Sequence, residues 1–136
     1  MMKLYLDSNV VLDFLLNRQP FAEAAIDLLA AAEEGRVILS VSSLTFITAH
    51  YVVSKAVGKT AATVALASLF SRITTLAVDT QVINQALQAG MPDFEDAVQL
   101  FVALAAGADA IVTRDPKGFP TQTLPILDPL AALAQL

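Results

Sequence analysis

The chain is 136 residues long, 56% hydrophobic and 15% charged, with a net charge of −5. That length suits one domain spanning residues 1–136 with a real buried core. No cysteine is present and no Lys/Arg cluster stands out, which excludes disulfides, thiolate zinc sites and cysteine nucleophiles, and argues against a broad basic face for nucleic acid.

Lys3 to Leu6 reads as a first strand, ending at Asp7-Ser8-Asn9. Val10 to Leu16 then has helical apolar spacing. Phe21 to Glu34 is predicted as an amphipathic helix with Phe21, Ala25, Leu28, Leu29 and Ala32 inward, closed by Gly35. Val37 to Val41 is a continuous apolar run suited to a strand buried on both faces. Ser42 or Ser43 can cap a helix over Leu44 to Lys55, and Gly58 separates it from another over Lys59 to Phe70. Ile73 to Val78 is a third strand, followed by an Asp79-capped helix to Gln88. Asp93 to Ala106 is the next helix, Ala110 to Thr113 a fourth strand, and Thr123 to Leu127 a short last strand. Asp128-Pro129 opens a terminal helix, with Asp as cap and Pro in the first turn. Strands alternating with helices predict an α/β fold: an open parallel sheet of four to five strands wrapped by helices, a three-layer sandwich.

Neither a signal-peptide pattern nor an apolar run long enough for a membrane span is visible. The longest candidate, Ala61 to Phe70, contains Thr63 and Ser68. A cytoplasmic protein without membrane contact is the expectation.

Asp7, Asp96 and Asp115 each follow a strand or head a helix. In an open parallel sheet the strand carboxyl ends line one crevice, so these acids can converge there. Converged carboxylates repel one another unless a hard cation such as Mg2+ or Mn2+ lies between them. Each acid also has a local explanation. Asp7 can cap a helix, Asp93 and Asp96 can form a capping pair, and Asp115-Pro116 can form a turn. Asp93, Glu95 and Asp96 together exceed what capping needs. Glu95 lies about 100° around the helix from Asp96 and is expected to face solvent. Asn9 can steady Asp7. Arg114 and Lys117 can approach a phosphate or remain solvated. His50 sits mid-helix without a nucleophile or acid at useful spacing, which argues against Ser-His-Asp chemistry.

These residues resemble the PIN-domain family, in particular the VapC-like ribonuclease toxins. The resemblance rests on Leu4-Tyr5-Leu6-Asp7-Ser8-Asn9-Val10-Val11-Leu12-Asp13, then Val41-Ser42-Ser43-Leu44-Thr45. It continues through Asp96-Ala97-Val98-Gln99-Leu100 and Gly107-Ala108-Asp109-Ala110-Ile111-Val112-Thr113-Arg114-Asp115, with Gly118-Phe119 beyond. It implies a parallel sheet with an acidic cluster that binds Mg2+ or Mn2+ and cleaves RNA. By position, Asp7, Asp96 and Asp115 match family acids, and Asn9 and Thr113 the supporting polar residues. Family members usually carry a glutamate where this chain has Thr48. Asp93 is the first candidate to supply the missing acid, and Glu95 the second.

The expected function is a metal-dependent ribonuclease, the toxin of a toxin–antitoxin pair, partnered by RNA, an antitoxin and a further copy in a homodimer or higher oligomer. The alternative is a PIN fold with reduced or lost activity that acts by binding, through the apolar helices Leu44 to Lys55 and Lys59 to Phe70, which carry Phe46, Ile47, Tyr51, Val52, Val64, Leu66 and Phe70. Phosphoryl transfer through an aspartyl intermediate ranks third, because Asn9 stands where a second Asp is expected.

Overall fold

A computed structural model describes residues 1–120 and 123–136. Five strands form one all-parallel sheet in the order β3-β2-β1-β4-β5. They are β1 (Lys3–Leu6), β2 (Ile38–Ser42), β3 (Thr74–Leu76), β4 (Ala110–Val112) and β5 (Ile126–Leu127). The helices are α1 (Ser8–Leu15), α2 (Ala22–Glu33), α3 (Ser43–Val57), α4 (Lys59–Phe70), α5 (Thr80–Gln88), α6 (Phe94–Ala105) and α7 (Pro129–Ala134). No helix among the described residues is long and apolar enough to cross a membrane.

Alternation along β1 makes the three layers. Leu4 and Leu6 face α1, α2 and α7, packing with Leu28, Leu29, Val41 and Val112. Tyr5 faces the other way, into a cluster with Val98, Val102 and Ile111 that α5 and α6 cover. A third cluster, including Leu12, Val53 and Leu66, ties α3 and α4 to α1.

The predicted elements all form, with shifted ends that have local causes. Strand β3 stops at Leu76 rather than Val78, because its partner β2 ends at Ser42, where Ser42 caps α3 by accepting from the Thr45 N–H. Helix α1 begins at Ser8, two residues early, with Asp7 as its cap. Asp79, Asp93 and Asp128 cap α5, α6 and α7 through hydrogen bonds from Val82, Asp96 and Ala131. Phe21 is not inward: it precedes α2, is 41% exposed and lies beneath the Arg114 guanidinium.

Strand order positions the site. Chain progress runs from β1 outward to β2 and β3, then returns to β4 on the opposite side of β1. The carboxyl ends of β1 and β4 therefore flank a topological switch point, where ligands bind in open α/β sheets. Asp7 follows β1 and Thr113 follows β4, at that crevice.

Candidate active site

Asp7 is buried, and its two carboxylate oxygens have different partners. Oδ1 accepts from the Ser8 N–H at 2.8 Å, while Oδ2 accepts from Thr113 Oγ1 at 2.8 Å across the β1–β4 seam. Asn9 Nδ2 donates to Thr113 Oγ1 at 3.2 Å and reaches Asp7 Oδ2 at 3.5 Å. The Asp115 N–H donates to the same Thr113 hydroxyl at 3.0 Å. Thr113 and Asn9 thus couple the two strand-end acids.

Helix α6 delivers the other acids from its first turn, with its N-terminus toward the crevice. Burial and the charges of Asp7, Asp93, Glu95 and Asp115 push the Asp96 carboxyl up to about 7. Asp7 is also raised, by burial and by Asp115 and Asp93, against the lowering effect of its bonds from Thr113 and Ser8. Glu95 is raised by burial, then by Asp7 and Asp93. Five carboxylates therefore share one electrostatic neighbourhood and resist joint ionisation.

Two of them differ from the sequence expectation. Glu95 is not simply solvated: its Oε1 reaches back to accept from Ser8 Oγ at 3.4 Å, at the head of α1. Asp93 uses Oδ1 as the α6 cap. Thr48 lies half-buried on α3 and brings no charge.

Arg114 also has a different employment from either expectation. Its Nε and Nη2 grip Asp13 Oδ2 and Oδ1 at 2.6 and 3.0 Å, and its guanidinium carbon sits 3.9 Å from the Phe21 ring centroid. Its backbone N–H donates to Asn9 Oδ1 at 3.3 Å. Lys117 is exposed in the 3-10 turn Pro116–Gly118. His50 bridges α3 to α4 through Thr63, at 2.8 Å.

Beneath the acids lies a buried polar network absent from the sequence reading. The wholly buried Gln99 accepts from Tyr5 Oη and Ser42 Oγ, and donates to Ser8 Oγ and Thr45 Oγ1. Burial holds the Tyr5 phenol firmly protonated, so it serves as a donor. The available signal was a lone amide among Ala97, Val98 and Leu100, and a lone carboxylate, Asp13, among Val11, Leu12 and Phe14.

No group of three or more acidic or histidine side chains forms a ready-made metal site among the described residues. The donor set still fits a hard divalent cation, since it is all carboxylate oxygen. Its mutual repulsion, visible in the raised Asp96, is what a bound cation relieves.

A family model described as PIN domain matches residues 3–117. Solved structures of the same fold include the VapBC of Salmonella typhimurium, 21% identical, with 95% of this chain and 99% of that one covered and a TM-score of 0.72. VapBC2 of Rickettsia felis, bound to promoter DNA, is 20% identical over 93% and 98% of the two chains, with a TM-score of 0.71. VapC20 of Mycobacterium tuberculosis, a Sarcin-Ricin loop cleaving toxin, is 16% identical over 79% and 86%, with a TM-score of 0.64. No curated protein matches the chain.

Proposed function

The chain belongs to the PIN-domain family, and on that premise we propose that it is a Mg2+- or Mn2+-dependent ribonuclease, the toxin component of a toxin–antitoxin pair. The observation that carries this reading is the gathering of Asp7, Glu95, Asp96 and Asp115 at the β1–β4 switch point, with Asp96 pushed up to about 7 by burial and its acidic neighbours. Caps and turns account for each acid singly and for none of that convergence.

Asp7, Asp96 and Asp115 hold the metal in this reading. Glu95, whose Oε1 reaches Ser8 Oγ beside Asp7, is the first candidate for the fourth acid that Thr48 does not supply, and Asp93, whose Oδ1 caps α6, is the second. Held by these acids, Mg2+ or Mn2+ would supply Lewis acidity for phosphodiester hydrolysis. The protein's own contribution is orientation. Thr113 and Asn9 fix the Asp7 carboxylate, the Asp13–Arg114 pair holds the segment leading to Asp115, and the Gln99 network holds Ser8 against Glu95.

RNA as substrate is supported by the fold shared with the Sarcin-Ricin loop cleaving toxin. An antitoxin partner is supported by the fold shared with VapBC complexes. Ile47, Tyr51, Val64 and Phe70 on α3 and α4 are 59–70% exposed and offer apolar surface for an antitoxin or a second copy. Chelation tests the assignment: RNA cleavage that ceases with EDTA and returns with Mg2+ or Mn2+ supports it, and cleavage indifferent to chelation refutes it.

A further inference from the structure

Four glycines, Gly35, Gly58, Gly90 and Gly107, have φ between 67° and 90°, where a side chain brings strain. Around each, a Cβ would meet nothing within 4 Å. Gly118 is the reverse case. Its backbone lies outside the left-handed region, yet a Cβ there would stand 2.5 Å from Asp96 Oδ2 and 3.4 Å from its Cγ. Backbone conformation does not call for glycine at 118. The neighbouring carboxylate does.

We propose that Gly118 is a positioning residue for Asp96: the missing side chain leaves the space into which the Asp96 carboxylate turns, and so aims it at the acid cluster. The inference rests on the reading of that cluster as a metal centre.

Which partner yields to a Cβ follows from how each is held. The 3-10 turn Pro116–Gly118 is pinned on both sides. Before it, the Asp115 N–H is bonded to Thr113 and Arg114 is locked to Asp13. After it, Phe119 is buried in the cluster with Ala97 and Val98 of α6 itself. Moving the turn away from α6 withdraws an aromatic ring from the core. Rotating Asp96 disturbs one short side chain. The carboxylate therefore moves and the turn stays.

Alanine at 118 suits the backbone, so Gly118→Ala folds with a Tm equal to or slightly above that of wild type. The test pairs a crystal structure of metal-free Gly118→Ala with calorimetric titration of Mn2+ into wild type and variant. The expected result is an Asp96 carboxylate rotated away from residue 118 and an Mn2+ affinity lower by about tenfold or more, the scale for disturbing a group that orients a metal ligand. An Asp96 carboxylate left in place beside a displaced turn overturns the inference, and so does wild-type Mn2+ affinity in the variant. Failure of wild type itself to bind Mn2+ strikes the metal reading instead, and the position of Asp96 in the variant still decides whether residue 118 sets it.

Discussion

Arg114 and Asp13 form a two-point ion pair: Nε to Oδ2 at 2.6 Å and Nη2 to Oδ1 at 3.0 Å, with the Asp13 side chain only 1% exposed. The pair joins α1 to the segment following β4, the same two elements that carry Asp7 and Asp115. Arg18 stands farther off, at 3.9 Å from Asp13 Oδ1. Removing Arg114 strands a buried carboxylate, a change that costs about 3–5 kcal/mol. Arg114→Ala is thus expected to lower the unfolding free energy by about 3 kcal/mol, with Asp13→Leu/Arg114→Met losing distinctly less. Denaturant melts of the three proteins check this. Equal losses in the single and double variants count against a desolvated pair.

The acids on α6 divide by role. Asp93→Ala removes a helix cap and is expected to cost about 1 kcal/mol of stability while Mn2+ affinity stays near wild type. Glu95→Gln keeps stability and lowers Mn2+ affinity. Thermal melts beside Mn2+ titrations separate the two, and the opposite pattern would return Asp93 to the metal.

The sign of the pH dependence follows from raised carboxyls. Folding holds the Asp96 pKa at about 7, above the unfolded value of about 3.9. The stabilisation this gives is complete below the unfolded value and is lost as pH rises through the folded one. Tm of the metal-free protein is expected to fall between pH 5 and pH 8. Asp96→Asn, which has no proton to lose, flattens that fall, and Mn2+ at pH 8 opposes it. A metal-free Tm that rises across this range would contradict the repulsive cluster.

Gln99 satisfies four partners at once, and its loss leaves the Tyr5 hydroxyl to find another acceptor in a buried setting, while Ser8, Ser42 and Thr45 keep contacts with one another. Unsatisfied buried groups cost about 1–3 kcal/mol each. Gln99→Leu, close in volume, is expected to destabilise by at least about 2 kcal/mol, measured by urea unfolding. A neutral result would mean the network is dispensable.

Much of this was legible from local signals. Alternation along Leu4-Tyr5-Leu6 and the apolar run before Ser42 marked buried parallel strands, and Asp79, Asp93 and Asp128 marked helix starts, because capping chemistry is short-range. The residues that escaped depend on the third dimension. Glu95 faces outward on a helical wheel, and only the meeting of the α1 and α6 N-terminal ends at the crevice brings Ser8 within its reach. Arg114 read as either a phosphate contact or a solvated charge, because its partner Asp13 lies 101 residues earlier. Phe21 looked like core until Arg114 arrived above it. Gly118 lies just past the Asp115-Pro116 turn signal, and its closeness to Asp96 emerges only when the turn docks on α6.

The most direct measurement is RNA cleavage by wild type and Asp7→Asn in the presence of Mg2+, with thermal melts of both. Asparagine keeps one oxygen to accept from the Ser8 N–H or the Thr113 hydroxyl, whose bonds in wild type go to different oxygens, but lacks the charge a cation needs. The account predicts Mg2+-dependent cleavage by wild type and none by a folded Asp7→Asn. Undiminished cleavage by that variant would contradict it.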